Sequence, residues 1–128
     1  PKKGDDMDIR NRNHLLFLIT TESHQKIGGY ISCPLPSISG NCQISDKNAF
    51  IFSLSKQKKI PIDLNKSESA ILMANELLIG FGQDLLIKKD CILESSTCNW
   101  PSSYIDNSIE NQSPEWLTGS KDFFIKDI

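Results

Sequence analysis

LLIGFGQDLLIKKDC, residues 77–91, holds two glycines, Gly80 and Gly82, one residue apart behind an apolar run. A phosphate-cradling loop would place a helix after them and make the chain α/β. A plain turn would place a second strand there and make it β. The dinucleotide fingerprint requires G-x-G-x-x-G between a strand and a helix. Here the third glycine position is Leu85, and the LLIKK that follows reads as another strand. No helix N-terminus would then face a pyrophosphate. The Walker pattern, G-x4-G-K-[ST], is absent too. The stretch therefore reads as strand, turn, strand. Gly80 and Gly82 supply backbone conformations that a Cβ would forbid, and Asp84 is expected to cap or bond within the turn.

The segments on either side speak the same language. HLLFLITT (residues 14–21) is short, apolar and β-branched at its end, which fits a buried strand. IGGYIS (27–32) follows a five-residue turn and makes a hairpin with it. Gly28 and Gly29 inside that strand predict a bulge or a close backbone approach. The stretch at 33–46, with Pro34, Pro36 and Gly40, reads as a loop. AFIFSLS (49–55) is a strand apolar on both faces, with Phe50 and Phe52 on one of them, as expected for a centrally packed strand. Lys56, Gln57, Lys58 and Lys59 read as a solvated turn, and KKIPID (58–63), which overlaps its end, as an edge strand because of Pro61. SESAILM (67–73) is assigned to a strand, since its apolar run is too short to propagate a helix. Residues 88–120 read as one long polar loop, and KDFFIKDI (121–128) as a closing strand. Residues 1–13 are polar and charged, a tail or loop ahead of a single domain at 14–128. Many short strands between turn signals indicate an antiparallel sandwich or barrel.

Composition narrows the function. A chain of 128 residues buries on the order of two-thirds of its unfolded surface and needs no metal or disulfide to fold. Its net charge of −2 lacks the basic footprint of a nucleic-acid binder and the polybasic patch of a lipid binder. No apolar run reaches the roughly 20 residues of a membrane helix, and the N-terminus carries no signal-peptide pattern. Reduced thiols and a cytoplasmic location are expected, with the nucleus as the alternative. The chain starts at Pro1 and is expected to be a piece of a longer protein.

The chemistry-bearing residues form no recognisable constellation. The spacings Cys33-x8-Cys42 and Cys91-x6-Cys98 do not fit the paired C-x2-4-C template of structural zinc. His14 and His24 lie outside any nucleophile motif, and no G-x-S-x-G elbow is present. Trp100, Tyr104 and Trp116 stud the polar stretch. They are expected either to pack it onto the sandwich or, for Trp100 and Trp116, to anchor a partner protein.

Six stretches in order carry a family resemblance: HLLFLITTES, IGGYIS, DKNAFIFSLS, AILMANELLIGFGQDLLI, WPSSY and LTGSKDFFIKDI. Together they resemble the TLDc domain family from about Leu15 to Ile128. At Cys33, Pro34 and Leu35 the chain departs from the acid and tryptophan that often follow the family's glycine-pair strand. The resemblance implies a mainly β fold, a two-sheet antiparallel sandwich with a few short helices. It also implies a non-enzymatic interaction domain of the oxidative-stress response, without cofactor, that binds the vacuolar proton-pumping ATPase. No catalytic site is carried over. Gly28, Gly29, Gly80, Gly82 and Gly119 match motif positions and are read as shaping the backbone. Two rival functions stand beside this one. The first is a regulatory or nucleic-acid-binding domain of a stress-responsive transcription factor. The second is a thiol-dependent, peroxide-reactive enzyme, with Cys91 the first residue to test.

Overall fold

The computed structural model describes residues 14–33 and 41–128. The tail at 1–13 and the turn residues Pro34, Pro36 and Gly40 lie outside the described residues. In chain order the strands are β1 (Leu15–Thr21), β2 (Lys26–Ile31), β3 (Cys42–Ile44), β4 (Phe50–Ser53), β5 (Lys58–Pro61), β6 (Ile71–Met73), β7 (Leu77–Phe81), β8 (Leu85–Lys88), β9 (Ser96–Cys98), β10 (Asp122–Phe123) and β11 (Ile125–Asp127). They form two antiparallel sheets. One has the order β11-β1-β2-β4-β5, the other β10-β9-β8-β7-β6-β3. The fold is mainly β, as the resemblance implied, with a single short α-helix, α1 (Pro114–Thr118), among the described residues.

The period-2 alternation of each strand decides what is buried. On β1, Phe17 and Ile19 point inward while Leu16 and Leu18 point out. Ile27 and Ile31 of β2, Ile51 of β4 and Ile60 of β5 join them from the first sheet. Ile71, Ile79, Phe81, Leu85 and Ile87 meet them from the second, and all belong to one continuous core. Each large side chain removed from water contributes about 1.5–3 kcal/mol. The Phe17 and Phe81 rings cross the interface edge to face, 5.9 Å apart. Gly29 makes room there, because a Cβ would collide with the Phe81 ring. Gly28 faces the other way. A Cβ on it would run into the Phe17 carbonyl and the Phe52 ring. The ladder through both glycines is regular, so they mark close approach and not a bulge.

Several assignments shift. β3 arises within the stretch read as a loop, because Cys42 and Ile44 pair with Met73 and Ile71 of β6. Three residues are too few to announce a strand alone. Residues Leu64–Ser69 wind into a 3-10 turn capped by Asp63, whose carboxylate accepts from the Asn65 amide at 3.0 Å. The strand assigned to 67–73 therefore begins only at Ile71. Lys58 and Lys59, shared between the charged turn and the KKIPID strand in the sequence reading, belong to β5. The long segment at 88–120 contains β9 and α1. The closing strand is two strands, β10 in one sheet and β11 in the other, with the chain crossing between sheets at Phe124. Its end thus ties the two layers together.

Candidate interaction surface and the Asp84 anchor

The hairpin β7–β8 answers the question raised by its glycines. β7 runs through Gly80 to Phe81, and Phe81 pairs with Leu85 across a tight turn. Gly82 sits at φ +58°, a conformation that disfavours any side chain. Its amide donates to the Ala70 carbonyl at 2.7 Å. No helix follows, and the turn cradles no phosphate.

The Asp84 amide bonds within the turn, donating to the Phe81 carbonyl at 3.1 Å, as its position had suggested, while its side chain bonds outside it. Its carboxylate is fully buried and reaches across to WPSSY. Oδ2 accepts from the Ser102 amide at 2.9 Å and the Tyr104 amide at 3.0 Å, while Oδ1 accepts from Ser103 at 2.7 Å. Burial pushes its pKa above the ordinary carboxylate value, against the pull of these three bonds. The Trp100 indole donates to the Tyr104 carbonyl at 3.0 Å, and the Tyr104 hydroxyl to the Ala70 carbonyl at 2.6 Å. Phe81 lies against the Tyr104 ring, 6.5 Å centroid to centroid. Two motif elements far apart in sequence are thereby fastened by one carboxylate. The cluster is anchored internally.

The remaining marked residues divide by exposure. Trp100 is completely buried, so it packs the segment, the first of its two readings, and is not an exposed anchor. Trp116 is half-buried against it, ring centroids 5.2 Å apart. The Lys56 ammonium sits 4.9 Å over the Trp116 ring and donates to the Trp116 carbonyl. Gly119, at φ +90°, closes α1 by donating its amide to Glu115, and Ser113 caps the other end.

Cys91 and Cys98 are buried, so Cys91 is shielded from an oxidant in the folded chain. Burial raises the Cys98 thiol to about 11, which leaves it protonated at neutral pH. Cys33 is half-exposed, and burial together with the neighbouring Asp46 carboxylate raises its pKa as well. Among the described residues, no group of three or more His, Cys, Asp and Glu side chains could hold a metal ion. His14 is spoken for by the Tyr30 hydroxyl, 2.9 Å from Nδ1.

What the sequence reading missed is the outer face of the five-stranded sheet. HLLFLITT was read as buried throughout, yet Leu16 is 63% and Leu18 52% exposed. Leu54, just past β4, is 50% exposed. Leu16 stands opposite Tyr30, which stands opposite Phe50; Leu18 stands opposite Gly28, which stands opposite Phe52. Tyr30 stacks on Phe50 at 5.2 Å, and the Lys59 ammonium rides 4.4 Å over the Phe50 ring. A shallow groove of about 370 Å³ runs between Leu16, Phe50, Phe52 and Leu54, with Lys58 and Lys59 at its rim. Natural monomers seldom leave a contiguous apolar patch uncovered without a use for it. The available signal was an apolar residue at every position of 15–19, an unbroken run on both faces of a strand next to the sheet edge.

A family model described as the TLDc domain matches residues 7–128, eight residues further toward the N-terminus than the motif resemblance reached. No curated protein matches the chain.

Proposed function

The chain belongs to the TLDc domain family, and from that premise we propose that it works as a non-enzymatic protein-interaction domain whose partner is the vacuolar proton-pumping ATPase. The family is associated with the oxidative-stress response and is in general a non-catalytic interaction domain. The observation that carries the reading is the apolar outer face around Leu16, Phe50 and Leu54, a surface suited to protein contact.

Neither rival gains support. Three of the lysines are engaged within the chain: Lys56 on Trp116, Lys59 over Phe50, and Lys66 on the Ser102 carbonyl at 2.8 Å. At a net charge of −2 the chain lacks the basic excess expected of a nucleic-acid binder. The thiols of Cys33 and Cys98 are pushed away from the reactive thiolate.

The test is an affinity capture of the full-length protein from its own cells, with and without peroxide, read by mass spectrometry. A Leu16→Gln/Leu54→Gln variant serves as control, because both side chains already face solvent. Pump subunits recovered by the native protein and lost with the variant are the expected result. Equal recovery by both would refute the assignment to this face, and absence of pump subunits would refute the partner.

A further inference from the structure

The groove on the five-stranded sheet has a charge asymmetry that says what it would accept. Its floor and walls are apolar, and its rim carries Lys58 and Lys59 with no described carboxylate among the lining residues. Lys59 lies on the Phe50 ring, held by the ring's negative face. The ammonium of this exposed lysine is thus placed beside the apolar floor. A side chain entering the groove meets aromatic surface and, at one side, two cations.

We propose that this groove docks a short segment of a partner protein in which leucine or phenylalanine side chains are flanked by carboxylates. The proposal rests on the interaction reading above and adds the chemistry of the partner segment. Three physical arguments lead to it. An apolar side chain seated beside Leu16 and Leu54 removes from water two leucines that are half or more exposed. A carboxylate beside it reaches the lysine rim, where each exposed pair adds little affinity but strongly disfavours a basic competitor. Gly28 lacks a side chain, and the tip of the Phe52 ring, which lines the groove, takes the space that a Cβ would fill. An anionic membrane would satisfy the same two chemistries, but stable adsorption needs a larger basic cluster than two lysines on a chain of charge −2.

The experiment uses the 128-residue chain and a short fluorescein-labelled peptide in which Leu and Phe are interspersed with Glu, read by anisotropy. A companion peptide has Lys at each Glu position, and phosphatidylserine vesicles form a third arm. The expected result is that the acidic peptide binds at least about tenfold more tightly than the basic one. Lys58→Glu/Lys59→Glu should weaken the acidic peptide by about tenfold or more and strengthen the basic one. Leu16→Gln/Leu54→Gln should weaken both. Equal affinity for the two peptides, no binding of the acidic peptide, or tighter binding to the vesicles would each overturn the proposal. Its failure is separable from that of the pump assignment. If the cellular capture loses pump subunits with Leu16→Gln/Leu54→Gln but keeps them with Lys58→Glu/Lys59→Glu, the interaction stands and the acidic segment falls. If the peptides behave as expected while no pump subunit is recovered, the groove stands and the partner falls.

Discussion

The Asp84 anchor and the outer face of the five-stranded sheet are built on opposite principles. Around Asp84, residues that look like chemistry are consumed by folding. A buried carboxylate, two serines, a tyrosine and a tryptophan satisfy one another and the backbone. On the outer face, residues that look like core are left in water, with Leu16, Leu18 and Leu54 all half or more exposed. The difference teaches where function is to be sought in this chain. Buried polar groups must be hydrogen-bonded, so a polar motif in a small sandwich is first of all a fastening. An apolar side chain in water carries a cost that a partner relieves.

If the comparison is right, the two regions should respond to substitution in opposite ways. The largest effect belongs to Asp84. Asp84→Ala strips the acceptor from three backbone amides in or near the core, and it should cost at least about 3 kcal/mol in urea unfolding. A loss below about 1 kcal/mol would show that the carboxylate fastens nothing. Next comes Gly28→Ala, where the new Cβ meets the Phe17 carbonyl, which the ladder holds in place. It should cost about 2–3 kcal/mol by the same unfolding measurement. Because Phe52 would be lifted as well, peptide binding at the groove should fall with it.

Acid stability separates a second carboxylate, Asp46, from Asp84. Burial raises the pKa of Asp46, but bonds from the Ser32 amide and hydroxyl and from the Asn48 and Cys33 amides outweigh it and hold the group below its ordinary value. A depressed folded pKa means stability that is present above the unfolded value near about 3.9 and lost as pH falls through the folded value. Asp84, with its raised pKa, contributes the reverse slope between its ordinary and its folded value. Asp46→Asn should therefore flatten the loss of stability below about pH 4 in an acid titration of the unfolding midpoint. An unchanged slope would assign the acid loss elsewhere. The smallest effect is the most informative. Leu16→Gln/Leu54→Gln should leave stability within about 0.5 kcal/mol of the native chain, since both side chains already face water, while it abolishes partner capture. A large drop in the melting temperature would mean that these leucines are part of the core and not a docking surface.

Much of the fold was legible locally. The β1–β2 hairpin, β4, the β7–β8 turn and the edge position of β5 all follow from apolar alternation and turn residues. The helix α1 was legible too, though it was passed over. Ser113, Pro114 and Gly119 spell a cap, a first-turn proline and a left-handed stop. β3 and β9, three residues each, could not be read, because a strand that short is stabilised by its neighbours and not by its own pattern. The 3-10 turn at Leu64–Ser69 owes its place to the Asp63 cap, a signal common to many loops. At the candidate site, Phe50 and Phe52 were singled out as strand residues, whereas Leu16, Leu54, Lys58 and Lys59 were not linked to them. These residues meet through strand pairing across two turns and the connection from β2 to β4 that carries β3, and no local window contains them.

By itself the amino-acid sequence determined that the chain is β-rich, that GFGQD is a turn and not a phosphate loop, and, through six stretches in order, which family it resembles. These are properties of alternation, glycine placement and order along the chain, all of which are written locally. Only the tertiary structure decided that Asp84 fastens WPSSY, that Trp100 and Cys91 are core, and that one face of β1 and β4 stands open. Whether a residue in an apolar run is inside or outside depends on which sheet face finds a second layer to cover it. That is a property of how the two sheets stack, and no single strand contains it.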